Sequence, residues 1–365
     1  MPIELDNTSI NVINSADTFQ VDFVKSKGSY TEKAADGATY SCGEAHYGQL
    51  GHGNSTDKWS PTLVQYFIDN SITITKFSVG SYHSLFLDTN GYVYSCGEGS
   101  HGRLGHGNTS NKYTPTLIET YIDYNGININ YTNITISQVS AGSYHSLFLD
   151  TNGYVYSCGG AGNQKLGHGD DNEKYTPTII QTYNDNNGND TTYTNITISQ
   201  ISAGGSHSIF LDTTGNVYSC GNGSYGVLGH GDTTSSKSKP TLILFFVNSS
   251  IIISHISSGT SFISIFLDVN GYVYSCGHNY YGILGHGDTT DKSTPTLIQT
   301  YIGLNDININ YTSITISKIS AGSGHAMFLA NTGYVYSCGN GNNGRTGNLP
   351  VTDKNTPTLI QTYIG

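Results

Sequence analysis

The chain has 365 residues, enough to bury a substantial core, with 11% charged residues and a formal net charge of −11. It contains no Lys/Arg run of the kind that grips nucleic-acid backbone, so direct nucleic-acid binding is not expected. The longest apolar run, Leu242–Val247, is far too short to span a bilayer, so membrane insertion is not expected either.

At the start of the chain, residues 11–40 read as a worn half of a repeat. Gly28-Ser29-Tyr30 and Asp36-Gly37 survive there, and the apolar strand between them does not. Tyr-Ser-Cys-Gly then occurs at Tyr40, Tyr94, Tyr156, Tyr218, Tyr274 and Tyr336 and carries all six cysteines, with gaps of 54, 62, 62, 56 and 62 residues. A unit of that size repeated along the whole length belongs to a propeller or solenoid.

Residues 71–118 display one unit in full. An alternating β-branched stretch from Ser71 to Gly80 reads as a strand. His83–Asp88 and Tyr92–Cys96 follow, joined by Asn90-Gly91, a strong hairpin signal because both residues tolerate positive φ. The turn recurs at Asn152-Gly153 and Asn270-Gly271, and in altered form at Thr214-Gly215 and Thr332-Gly333. Next comes a glycine-rich turn, Leu104-Gly-His-Gly107, and then a Pro-Thr-Leu element that starts at Pro61, Pro115, Pro177, Pro240, Pro295 and Pro357. Proline suits the first residue or the edge of a strand.

Each unit thus predicts about four short strands and almost no helix. The expected fold is a single all-β propeller domain over 1–365, with units at approximately 1–68, 69–122, 123–184, 185–246, 247–302 and 303–365. Six blades are expected, with seven as the alternative, and the ring is expected to close by pairing of the N- and C-terminal strands. Connections after Pro-Thr-Leu vary. Three are long and carry near-copies of Asn130–Ser137, while Tyr66–Ser71 and Phe245–Ser250 are short.

The combination Gly142-Ser-Tyr-His-Ser-Leu-Phe-Leu, Gly153-Tyr-Val-Tyr-Ser-Cys-Gly159, Leu166-Gly-His-Gly169 and Pro177 resembles the RCC1 (regulator of chromosome condensation) repeat family. The resemblance covers 71–365, and more weakly the first seventy residues. It implies a β-propeller, usually of seven blades, and usually tryptophan where this chain has Cys42, Cys96, Cys158, Cys220, Cys276 and Cys338. Two further departures are Ile263 in place of the repeated histidine, and Arg345-Thr346-Gly347-Asn348 in place of Leu-Gly-His-Gly.

Repetition itself constrains the chemistry. Equivalent positions about 10 Å from a six-fold axis lie about 10 Å apart, beyond the roughly 7 Å that a disulfide allows between Cα atoms. The cysteines therefore read as small buried apolar residues in a reducing compartment. The same spacing keeps His52, His106, His168, His230 and His286 from sharing a metal, and likewise His83, His145, His207 and His325, because ligands to one ion lie within a few ångströms of each other. These histidines read as hydrogen-bonding supports for the turns. Asp88, Asp150, Asp212 and Asp268 read as turn-formers that bond to amides two residues on. No nucleophile elbow, P-loop, Cys-x-x-Cys pair or zinc signature is present. No residue is assigned as catalytic, cofactor-binding or metal-ligating, and neither a cofactor nor an enzymatic activity is expected.

The expected function is a non-enzymatic protein-interaction scaffold. Its contacts would come from the broad faces and the unequal loops Asn125–Asn133, Asn184–Asn195 and Asn305–Thr312. The alternative is a structural component that assembles with copies of itself. The Asn, Ile, Tyr and Thr bias hints at an AT-rich genome, so a giant-virus particle is one setting for it. The resemblance also implies guanine-nucleotide exchange on a small GTPase. That activity uses an inserted hairpin wedge, for which repeat spacings of 54 to 62 leave no obvious room. Ultraviolet-sensing relatives use clustered tryptophans, and Trp59 stands alone. The first residues lack the charged start and apolar core of a secretory signal, so an intracellular location is expected.

Overall fold

The computed structural model describes residues 20–23 and 30–33 as backbone strands, and residues 38–185 and 187–360. The described strands form six separate sheets. Each is built on a four-stranded antiparallel meander and makes one blade. Blade 3 shows the pattern: Ile136–Ala141, His145–Asp150, Val155–Gly159 and Lys174–Ile179 pair in chain order. Blade 1 comprises Gln20–Phe23, Tyr30–Lys33, Thr39–Gly43 and Lys58–Leu63, so the worn repeat still forms its strands.

Alternation sends one side of each blade against the next. Leu85, Leu87 and Val93 of blade 2 pack with Phe148, Tyr156 and Cys158 of blade 3 in one buried cluster. Similar clusters fill the following junctions. A blade alone has no covered face, so burial between neighbours supplies the cohesion.

Three blades carry more than four strands. Hairpins Thr120–Ile122/Asn128–Asn130, Thr182–Asn184/Asp190–Thr192 and Thr300–Ile302/Asn308–Asn310 add two strands to the outer edges of blades 3, 4 and 6. The expectation of about four strands per unit therefore fails in half the repeats. Repeat spacings of 54 to 62 residues, expected to leave no obvious room for an extra hairpin, do hold one in these blades. Asp123 and Asp185 form the first two of these turns by accepting from amides two and four residues on. In the two short connections, five-residue helices Gln65–Asp69 and Leu244–Asn248 take the hairpin's place. Either device delivers one aromatic anchor. Tyr121, Tyr183 and Tyr301 sit edge-on to the blade tyrosines Tyr156, Tyr218 and Tyr336, as Phe67 and Phe246 do to Tyr94 and Tyr274.

Each repeated proline lies inside the fourth strand rather than at its start. In blade 3 the ladder runs Ser157↔Thr178 and then Gly159↔Lys174, and Pro177 sits in the resulting bulge, where no ladder hydrogen bond is needed. The expected pairing of the two chain ends is absent among the described strands. Gln20–Phe23 pairs with Tyr30–Lys33, and Lys354–Leu359 pairs with Val335–Gly339. Residues 1–19 and 361–365 lie outside the described residues.

Candidate functional site

The repeated polar residues form a frame. The Ser146 hydroxyl donates to the Arg103 carbonyl at 2.7 Å, so it accepts from His83 Nε2 at 2.8 Å. One proton per hydroxyl thus assigns the Nε2–H tautomer of His83. The relay runs from blade 2 to blade 3, and His145–Ser208 and His207–Ser264 repeat it at 2.9 and 3.1 Å. Burial, with the Arg103 guanidinium nearby, holds His83 well below the usual imidazole range, so the ring is neutral. Gly142 permits the position of the His145 ring, since a Cβ there would lie 2.5 Å from both His145 Cε1 and the Gly204 carbonyl oxygen.

A second set braces the glycine-rich turns. His106 Nε2 lies 2.9 Å from Ser95 Oγ, whose proton goes to the Leu104 carbonyl. His52, His168, His230 and His286 do the same with Ser41, Ser157, Ser219 and Ser275. Burial pushes His106, His168, His230 and His286 down to about 4. In blade 6 Asn348 takes this place, its amide donating to Ser337 Oγ at 2.9 Å. Thr346-Gly347-Asn348 therefore matches Leu104-Gly105-His106, a register one residue later than the sequence reading. Arg345 then aligns with Gln49, Arg103, Lys165, Val227 and Ile283.

The cysteine thiols also bridge blades. Cys96, Cys158, Cys220, Cys276 and Cys338 donate to the carbonyls of Gln49, Arg103, Lys165, Val227 and Ile283 of the preceding blade. Those five are buried, whereas Cys42 of blade 1 is half-buried. Asp88, Asp150, Asp212 and Asp268 cap their hairpins as expected, each accepting from amides two and four residues on.

The copies differ most on the face formed by the glycine-rich turns and the first-to-second strand connections. Over blades 2 and 3 this face is ionic. Buried Arg103 pairs with Glu98 at 2.8 Å, donates to the Ser143 carbonyl and lies 5.0 Å from the Tyr144 ring centre. His101 pairs with Glu173, which also accepts from Tyr175. Lys165, nearly buried, is pushed down to about 8 by desolvation and then by Arg103. Over blades 4 and 5 the same face is aromatic. Tyr225 lies 4.3 Å from His278 and 5.5 Å from Phe262, and His278 stacks on Tyr280 at 6.1 Å.

That aromatic sector has a sequence cause. Blade 5 has three residues, Thr260-Ser261-Phe262, between Gly259 and Ile263, where blade 3 has only Ser143-Tyr144. The extra residue is absorbed at Phe262, at φ 57, in contact with Tyr225 at φ 60. Bulky side chains rarely adopt that conformation. The signal was the length difference, which sequence reasoning passed over. The loops expected to bind form the edge hairpins. Their tips expose Tyr124, Ile127, Leu304 and Ile307 at the opposite end of the blades. Trp59, the sole tryptophan, is 91% exposed on the outer strand of blade 1.

A chain of such blades, joined by repeated His–Ser and Cys–carbonyl contacts, is a β-propeller built from tandem repeats. It belongs to the Regulator of chromosome condensation (RCC1) repeat family, which it matches over residues 36–87, 90–149, 152–211, 214–265 and 270–329. The ultraviolet-B receptor UVR8 of Arabidopsis thaliana is 30% identical over 322 residues, 88% of this chain. The E3 ubiquitin-protein ligase HERC2 of Mus musculus is 31% identical over 327 residues, 89% of this chain. The chain spans 65% of the first relative's length and 6% of the second's. Among solved structures, human WBSCR16 superposes with a TM-score of 0.75 at 21% identity, covering 95% of this chain and 83% of that one. Prp20p of Saccharomyces cerevisiae, studied for binding to Gsp1p and histones, gives 0.73 at 20% identity, covering 93% and 77%. At such identities the likeness shows the fold.

Proposed function

We propose that this propeller is a non-enzymatic protein-binding module whose docking surface is the glycine-turn face. The observation that carries the reading is a division of labour between repeats. Their buried histidines, serines and cysteines are spent on blade-to-blade contacts, whereas the side chains on one face change from the Glu98–Arg103–His101–Glu173 group to Tyr225–Phe262–His278–Tyr280. Neutral histidines and high-pKa thiols locked between blades are poor bases and nucleophiles. Partly exposed tyrosines beside a desolvated Arg–Glu pair have the composition of interaction hot spots. Binding of Gsp1p and histones by Prp20p, and of Kap60 by yeast RCC1, supports a protein partner. A face with two chemically distinct halves favours one orientation of that partner.

The test is affinity capture from extracts of the producing cells, using the native chain, a Tyr225→Ser/Tyr280→Ser variant and an Ile127→Ser/Ile307→Ser variant. The reading expects a stoichiometric protein that is lost with the first variant and kept with the second. Loss with the second alone, or no retained protein with any form, would overturn it.

A further inference from the structure

The first strands of blades 2 to 6, Ile74–Val79, Ile136–Ala141, Ile198–Ala203, Ile253–Ser258 and Ile316–Ala321, form the inner edges of their sheets and stand side by side. One register position on this wall, opposite Leu87, Leu149, Leu211, Leu267 and Leu329, holds Lys76, Gln138, Gln200, His255 and Lys318. The next tier toward the glycine-turn face holds Ser78, Ser140, Ser202, Ser257 and Ser320. Three serine hydroxyls there, Ser78, Ser140 and Ser257, accept from the amides of Ala141, Ala203 and Ala321 on the following strand.

The first tier presents donors. Gln138 Oε1 accepts from the Ile201 amide and Gln200 Oε1 from the Ile256 amide, which fixes which end of each side chain is oxygen. Each glutamine is left with an NH2 group, and only one of those protons on Gln200 is used, toward the Ser254 carbonyl. Lys76 spends one of three donors on the Ser137 carbonyl. Lys318 has no ion pair among the described residues, and neither has Lys76 or His255. All three are exposed. His255 Nδ1 faces Ser254 Oγ, whose proton goes to the Leu267 and Asp268 carbonyls, so Nδ1 carries the ring proton and Nε2 is the atom left to titrate. Partial desolvation against the wall and then the Lys318 charge lower its pKa. The backbone position of Asp22 in blade 1 matches that of Ser78, one tier away.

A row of unpaired cations and amide donors is out of character for a chain with a net charge of −11. The Lys318 charge disfavours protonation of His255 beside it, and a bound anion removes that penalty. We propose that the inner wall of the propeller binds a multiply charged oxyanion of the phosphate type on the tier of Lys76, Gln138, Gln200, His255 and Lys318. The site lies off the glycine-turn face, so it stands or falls independently of the protein-docking reading. Its two lysines and its histidine are exposed, so binding weakens with salt and is best read at low ionic strength.

The experiment follows the His255 imidazole by 1H–15N NMR of the full chain, the signal being assigned by its loss in His255→Gln. The chain is titrated with inorganic phosphate and with tripolyphosphate, chloride keeping ionic strength constant. A saturable shift with either anion, together with a rise of the His255 pKa, is expected. Lys76→Gln or Lys318→Gln should weaken binding by about tenfold or more, the loss typical of a charge-assisted hydrogen bond. Lys354→Gln, off the tier, should leave binding unchanged. A His255 response that never saturates, that chloride alone reproduces, or that survives both tier substitutions would overturn the proposal.

Discussion

Cys158 donates its thiol proton to the carbonyl oxygen of Arg103, 55 residues earlier, at 3.6 Å. The same oxygen accepts from Ser146, the cross-strand neighbour of Cys158. One backbone atom of blade 2 is thereby held from two strands of blade 3, and blades 2, 4 and 5 hold the blade before them alike. Blade 6 has Ala326 where the others have serine, and Cys338 alone makes the contact, at 3.2 Å.

This geometry makes the hydroxyl costlier to remove than the thiol. Ser146→Ala strands the buried His83 Nε2–H, leaves the Arg103 carbonyl only the weak Cys158 thiol as donor, and should cost about 2–3 kcal/mol. Cys158→Ala removes a weak donor and a small volume and should cost about 1–2 kcal/mol. Urea unfolding of the two variants checks the order.

The thiols should be silent until the chain opens. Burial pushes the pKa of Cys96, Cys158, Cys220, Cys276 and Cys338 well above the usual thiol value. With a disulfide reagent at pH 8, those five should label at the unfolding rate, and half-buried Cys42 should label first. Rapid native-state labelling of all six would contradict the packing.

Acid should loosen the propeller earlier than carboxylate titration alone would. His106, His168, His230 and His286 stay neutral down to about 4, and His325 down to about 3, because burial disfavours their charge. In the unfolded chain they protonate near 6.5. The folded pKa is the lower one, so these groups' stabilisation is full above about 6.5 and declines as pH falls toward 4. Each proton taken up contributes a slope of about 1.4 kcal/mol per pH unit. Urea midpoints should therefore fall steadily between pH 6.5 and 4.5, and a His106→Asn variant should show a shallower fall.

Asn348 offers a direct check of the shifted register in blade 6. Asn348→Ala removes the donor to Ser337 Oγ and should cost about 1–2 kcal/mol. Asn348→His, which restores the residue of the other blades, should stay within about 1 kcal/mol of the native chain. Thermal unfolding of both variants reports the difference.

Strands, hairpin turns and the turn-bracing histidines were legible in the sequence because each depends on local chemistry repeated at constant spacing. Asp150 and Asn152-Gly153 make their turn whatever surrounds them. The edge hairpins were missed because Thr120–Ile122 and Asn128–Asn130 are three residues each, too short for an alternation signal, and gain their place through Tyr121. The inter-blade relay was invisible because His83 and Ser146 stand 63 residues apart. The aromatic sector was missed because its residues come from separate turns of blades 4 and 5, and only the packing brings Tyr225 to His278.

Whether the glycine-turn face docks a protein is decided by site-specific photocross-linking. A photoreactive phenylalanine analogue is placed in turn at Tyr280 and at Ile127, both exposed and at opposite ends of the blades, and irradiated in extracts of the producing cells. A discrete protein adduct is expected from position 280 and none from position 127. Adducts from position 127 alone, or from neither position, would contradict it.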